Sequence, residues 1–326
     1  MVAEFDFIQR VRAVAPSGSL ALGIGDDCAV WSPAPGCDQL VTSDLLIEGV
    51  HFTLGHGTLE DLGAKALAVN LSDVAAMGGT PRHAVLGLGL PGREPARFLP
   101  LVDGFCTVAR RCGVTLAGGD TCASPGSLMI AVTVLGEVPE GRAVRRSGAR
   151  AGDALYVTGT PGDSALGLRL LTDGPGGVPQ PAREELVRRH LAPRARVAEG
   201  PLLREAGVSA MIDISDGLLR DLGHILEQSG VGARVDAELL PVSAALQAAC
   251  RSLGLDAVPF AAGGGEDYEL LFTVPADAVD RVEALVRAGS VAAVRIGSIT
   301  TEPGLQWYAD GRACRPPAPG YEHFLQ

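Results

Sequence analysis

Acidic residues recur in this 326-residue chain beside glycines or where an apolar run ends: Asp27, Asp44, Asp73, Asp120, Asp213 and Asp216. Carboxylate oxygens without clustered His or Cys suit a hard cation such as Mg²⁺ better than zinc. Several carboxylates gathered at one place repel one another unless cations are bound. A reaction between two phosphates needs such a site, because metal ions neutralise the charge and align the partners. The expectation is that these aspartates, drawn from both halves of the chain, meet at one cleft.

The elements that must position them start with residues 65–78, an apolar run that reads as a buried helix. Thr58 and Asp61 form a capping box at its start, and Gly78 stops it. Asn70, Ser72 and Asp73 lie inside it, and short polar side chains are poor helix-interior residues. Asn70 and Asp73, three apart, share one face. Two readings stand for Asp73: a carboxylate satisfied by a loop amide, or a metal ligand. Before this helix, residues 4–14 have helical periodicity, with Phe5, Ile8, Val11 and Val14 on one side. Gly23-Ile-Gly-Asp-Asp-Cys-Ala-Val30 reads as a tight loop that lets backbone approach a ligand. Residues 40–44 read as a strand ending in Thr42, Ser43 and Asp44, and His51 follows as a surface or functional histidine.

After the helix come a strand at 84–90, a helix face from Phe98 to Cys112, and a short strand at 114–117. That strand is expected to end in Gly118-Gly-Asp-Thr121, where a phosphate or metal comes close to backbone. Gly87-Leu-Gly-Leu-Pro-Gly92 matches a dinucleotide fingerprint only formally, because Pro91 interrupts it. Another strand spans 128–135. The polar, Arg-containing stretch 139–153 is the expected domain boundary, giving domains 1–138 and 139–326. Arg146 is then either linker solvation or a cation for a nucleotide phosphate. In the second half a strand at 154–158 and a helix at 164–171 precede a Gly/Pro-rich loop at 172–181. Asp213 ends a strand, and Ser215 or Asp216 is expected to cap the helix that follows. Strand 233–235, helix 241–253, strand 269–274, helix 276–288 and strand 291–296 complete an α/β pattern. Gly263-Gly-Gly-Glu-Asp-Tyr-Glu269 implies crowded backbone in a loop near ligand.

Composition narrows the function classes. A net charge of −11 argues against a nucleic-acid surface, yet cations can bridge carboxylates to phosphates. Lys65 is the only lysine among 27 basic residues, and no Gly-Lys-Ser/Thr exists, so the Walker A mechanism is excluded. Seven irregularly spaced cysteines fit reduced thiols. No apolar run reaches membrane-spanning length and no signal segment opens the chain, so a soluble cytoplasmic protein is expected.

The motifs at 23–29, 42–44, 48–52, 65–78, 118–121, 146–149, 213–218, 264–270 and Gly320-Tyr-Glu-His-Phe324 resemble, in order and spacing, the thiamine-monophosphate kinase family. Pieces of the pattern recur in the wider superfamily of aminoimidazole-ribonucleotide and selenophosphate synthetases. Val-His-Phe (50–52), the Glu-Asp-Tyr-Glu-Leu block (266–270) and the closing aromatic-x-His-Phe single out this family. The resemblance implies a two-domain α/β architecture of the aminoimidazole-ribonucleotide-synthetase type, with an N-terminal ATP/Mg²⁺-binding and dimerisation domain. It implies ATP-dependent phosphorylation of thiamine monophosphate to thiamine diphosphate. By motif, Asp27, Thr42, Ser43, Asp44, Asp73, Asp120, Asp213 and Asp216 would hold several Mg²⁺ ions. Asp44, Asp73, Asp120 and Asp213 among them would be catalytic. Gly119, Asp120, Arg146 and Ser215 would contact ATP, and His51, Glu266 and Tyr321 thiamine phosphate. A homodimer through the N-terminal sheet is implied. The alternatives are another ATP-using synthetase of the superfamily, or a non-catalytic nucleotide- or metal-binding homologue. Nothing before Cys28 fits the reactive Cys segment of selenophosphate synthetases.

Overall fold

In the computed structural model, residues 4–15, 18, 20–24, 27–92, 94–318 and 320–321 are described, with side chains from residue 6 onward. The expectations on Phe5, Gly25-Asp26 and the closing Glu322, His323 and Phe324 lie outside the described residues. The chain forms two compact units, residues 1–74 with 79–142, and residues 75–78 with 143–326.

The first unit is built on a four-stranded sheet. In it α1 (Glu4–Val14), β1 (Cys37–Ile47), α2 (Leu59–Ala76), β2 (Thr80–Pro91), α3 (Leu99–Cys112), β3 (Thr115–Ser124) and β4 (Met129–Pro139) follow in order. The strand order is β1-β4-β2-β3; only β2 and β3 run parallel. The capping box forms as expected: Thr58 N–H donates to Asp61 Oδ2, and Asp61 N–H to Thr58 Oγ1 at 3.0 Å. Gly78, at φ +67°, ends the helix in the left-handed region that favours glycine. Between these ends α2 buries Leu62, Ala66, Leu67, Ala68, Val69, Leu71 and Val74. A methyl group on Gly63 would stand 1.8 Å from Leu101 O, and one on Gly104 1.9 Å from Glu60 O. These two glycines therefore let α2 and α3 touch backbone to backbone.

Strand pleating sorts the sheet's side chains between two faces. Ala84, Leu86, Leu88, Ile130, Val132 and Val134 are buried. Val41, Leu45, Val85 and Met129 stand exposed on the opposite face. The strand expected to stop at Gly118 instead runs on to Ser124. A Cβ on Gly119 would meet Leu86 O at 2.0 Å, so the glycine serves close pairing of β3 with β2.

The second unit carries a seven-stranded sheet of order β11-β10-β7-β9-β5-β8-β6. Its elements are β5 (Ala154–Thr158), α4 (Asp163–Thr172), α5 (Gln180–Leu191), α6 (Glu199–Ala206), β6 (Ala210–Asp213), α7 (Leu218–Ser229) and β7 (Gly232–Asp236). They continue with α8 (Ala244–Leu253), α9 (Val258–Gly263), β8 (Leu270–Val274), α10 (Val279–Arg287), β9 (Ala293–Thr300), β10 (Gly304–Ala309) and β11 (Arg312–Cys314). β5 and β8 are buried along their whole length, as central strands covered on both faces must be. One core joins α7 to Leu155, Val157, Ile212, Ile296 and Trp307, and another joins Leu203 and Val282 to Tyr156 and Phe272. A third, smaller core packs α4, α5 and α8 against one another through Leu166, Leu186 and Leu246.

Candidate active site

In the first unit, β1 and α2 bring three of the expected site residues together. Thr42 Oγ1 donates to Asp73 Oδ2 at 2.5 Å, and Asp44 lies close enough to Asp73 to feel its charge. Burial, and then the Asp73 carboxylate, push Asp44 up to about 6. Asn70, fully buried one helical turn before Asp73, locks the pair in place. Its Oδ1 accepts from Asp44 N–H at 3.1 Å, while its Nδ2 donates to Ala66 O. The polar residues that make α2 a poor isolated helix thus fasten it to β1. Two facing carboxylates with hydroxyl and amide neighbours form an oxygen-rich site that fits a hard divalent cation.

Ser43 is not with them. Adjacent strand residues point to opposite faces, and Ser43 Oγ lies on the open face, donating to Val132 O and 3.0 Å from Thr133 Oγ1. Only its backbone stays beside Thr42 and Asp44. Asp120 is also removed from the pair. The register runs Leu45–Ala131–Gly87–Asp120 across the sheet, so Asp120 is in an open-face row on β3, the edge opposite β1. Three strand spacings separate these edges, about 14 Å. His51 sits in the turn after β1, its Nδ1 accepting from Ile47 N–H at 3.1 Å. In the neutral ring this leaves the proton on Nε2. Asp27 is exposed, before the bridge that pairs Val30 with Leu22.

In the second unit three loops converge. Asp213, buried, closes β6, and the chain turns through Ser215, Asp216 and Gly217 into α7. Glu266 N–H donates to Ser215 O at 2.7 Å, Tyr268 N–H to Ile214 O at 2.8 Å and Tyr321 N–H to Asp216 O at 3.0 Å. A Cβ on Gly265 would meet Ser215 O at 2.6 Å, and one on Gly320 would meet Asp216 O at 2.3 Å. Crowding by neighbouring loops therefore explains these glycines. Glu266 and Tyr268 adopt φ +61° and +53°, strained values for residues with a side chain, and such strain gathers at functional sites.

The expected cap is corrected. Gly217, not Ser215 or Asp216, is the N-cap of α7, and it offers no side chain. Buried Asp221 does the work from inside the helix: its Oδ2 accepts from the N–H groups of Ser215, Asp216 and Gly217 at 3.1–3.2 Å. Burial raises Asp221 to about 7 against the opposing pull of those three donors. The Asp216 carboxylate lies 3.3 Å from Arg220 Nε. Arg146 stands apart from this loop. Ser229 at the far end of α7 donates to its carbonyl, and twelve helical residues, about 18 Å, lie between. Within either unit, among the described residues, no three His, Cys, Asp or Glu side chains are grouped closely enough to hold one ion.

Two domain models account for most of the chain. AIR synthase related protein, N-terminal domain, matches residues 25–138, and AIR synthase related protein, C-terminal domain, matches residues 150–309. The fold therefore belongs to the class of two-domain α/β proteins related to AIR synthase. Among full-length relatives, the thiamine-monophosphate kinase of Escherichia coli K12 is 40% identical over 324 residues, 98% of each chain. The crystal structure of thiamine-monophosphate kinase from Stenotrophomonas maltophilia K279a superposes with a TM-score of 0.85 at 42% identity, covering 96% of this chain and 98% of that one. A further solved structure, AaThiL complexed with AMPPCP and TMP, gives 0.78 at 34% identity over 99% and 97% of the two chains. The chain belongs to the thiamine-monophosphate kinase family.

Proposed function

We propose that this chain transfers the γ-phosphoryl group of ATP directly to the phosphate of thiamine monophosphate, giving ADP and thiamine diphosphate. The observation that carries this is the adjoining pair Asp44 and Asp73, held by Asn70 and Thr42, with Asp44 raised to about 6 by burial and then by the second acid beside it. A cation between the two carboxylates would relieve their repulsion. Thr42, Asp44 and Asp73 would hold Mg²⁺ with the backbone of Ser43 beside them, as would Asp27 and Asp120 elsewhere in the first unit. Asp213 and Asp216 would do so in the second. Bound Mg²⁺ supplies neutralisation of the phosphate charges that otherwise keep the two substrates apart.

The remaining work falls to the chain's own groups. The acceptor is a phosphate oxygen already ionised at neutral pH, so no general base is required. A bond from that oxygen to the γ-phosphorus forms as the bond to the ADP oxygen breaks, with no phosphoenzyme. Gly119, Asp120, Arg146 and Ser215 would serve ATP. Glu266 would balance the positive charge of thiamine, with Tyr321 against a ring and His51 toward the phosphate. The relative complexed with AMPPCP and TMP supports a family site for both ligands. The exposed apolar side chains Val41, Leu45, Val85 and Met129 on the first sheet support pairing with a second copy, as a homodimer.

The test is ADP release with Mg²⁺ and ATP across thiamine phosphate, thiamine and an aminoimidazole precursor. Release with thiamine phosphate alone is expected. Release with the aminoimidazole precursor instead, or a phosphorylated side chain trapped during turnover, would overturn the proposal.

A further inference from the structure

His190 belongs to α5, an element outside the motifs that carry the family resemblance. It is 5% exposed, and its Nδ1 lies 3.1 Å from Ser164 Oγ and 3.3 Å from Glu266 Oε2. Glu266 itself is partly open, its side chain 30% exposed. The backbone around Glu266 is pinned on every side. Its own N–H is bound by Ser215 O, and Asp267 next to it accepts from Gly162 N–H and Ser164 N–H at the start of α4. Gly264 has no room for a side chain between Phe260 O and Ala165. The loop therefore fixes where the Glu266 side chain begins, in a left-handed conformation, but backbone bonds do not choose its rotamer.

We propose that His190 is a positioning residue for Glu266: an Nδ1–H donated to Oε2 aims the Glu266 carboxylate and so sets the affinity for the cationic thiamine moiety. This rests on the proposed role of Glu266 in binding thiamine phosphate. The setting favours such a bond. His190 lies in the last turn of α5, where the helix dipole favours a donor of positive character. A charge-assisted bond in a buried site is stronger than a neutral one. Ser164 Oγ, on the first turn of α4, lies at the same nitrogen and shares that N–H as a second acceptor, and the small core of α4, α5 and α8 supports both helices. A residue far from the site motifs in sequence thereby acts on substrate affinity through another side chain.

The experiment uses the full chain and measures KM for thiamine phosphate, KM for ATP and kcat. His190→Gln keeps a polar side chain but carries its donor at the Nε2 position. It is expected to raise KM for thiamine phosphate about tenfold, the scale of a lost hydrogen bond to a charged group, with KM for ATP unchanged. His190→Asn, whose amide donor can stand where Nδ1 stands, is expected to recover most of that loss. In a Glu266→Ala background, His190→Gln is expected to add nothing further, because its effect passes through Glu266. Equal effects of His190→Gln with and without Glu266, or an unchanged KM for thiamine phosphate while Glu266→Ala is impaired, would overturn the role of His190 alone. A Glu266→Ala enzyme with wild-type KM for thiamine phosphate would overturn the role of Glu266, and this inference with it.

Discussion

Two sets of acids stand in contrast: Asp44 and Asp73 in the first unit, and Asp221, Asp267 and Glu269 in the second. In the first unit Asp44 adjoins Asp73; Thr42 Oγ1 donates to the Asp73 carboxylate, and the helix-borne Asn70 accepts from the backbone N–H of Asp44. In the second, Glu269 is gripped by Arg196 through both carboxylate oxygens, at 2.5 and 2.6 Å, and also accepts from Thr158. Asp267 is held by two backbone N–H groups at the start of α4, and Asp221 by three before α7. A buried acid that the chain supplies with donors is structural: it fixes a loop or a helix end. On the proposed function, half-buried Asp44 and Asp73, placed side by side, would take a cation from outside. The same residue type thus does two jobs, and its neighbours tell them apart.

The comparison is broken most directly at Asp73. Asp73→Asn keeps the size and removes the charge, so it is expected to cost at least about a thousandfold in turnover, with thermal unfolding close to wild type. Near-normal ADP release from this variant would place the cation site elsewhere. Arg196→Met should do the reverse. It leaves Glu269 buried without its guanidinium and is expected to lower unfolding stability by about 3–5 kcal/mol in urea titration. A stability equal to wild type would mean that this acid, too, was not structural.

A pH titration sharpens the same contrast. Asp44, raised to about 6, takes up a proton as pH falls through that value, and a protonated carboxyl does not ligate a metal. Stabilisation by Mg²⁺ in thermal unfolding is therefore expected to be full above pH 7 and to fade below pH 6, by about tenfold in affinity per pH unit at most. Affinity that is flat from pH 5 to 8 would remove Asp44 from the site. The smallest effect is expected at Ser43. Its hydroxyl bonds to β4 on the open face, so Ser43→Ala should change turnover by less than about threefold, while Thr42→Val should lower it clearly. Parity between the two variants in steady-state assays would contradict the division of faces.

Sequence alone determined the signals that are local. Thr58, Asp61 and Gly78 mark the ends of α2 because capping depends on residues within one turn. Apolar periodicity located α1 and α3, and the ordered motifs disclosed the family. Other elements carried no such mark. α5, rich in Arg and Glu, has only a faint apolar face of its own, and α6 is a mere eight residues long, too short for its periodicity to stand out. The tertiary structure alone decided which neighbour each acid has. Ser43 parts from Thr42 because a strand alternates its faces. Gly119 answers to a neighbouring strand. Asp221, not Ser215 or Asp216, serves the start of α7, and His190 reaches Glu266 across 75 intervening positions of sequence. Sequence fixes what a side chain is able to do; the company it keeps, which sets its charge and its task, exists only once the chain has folded.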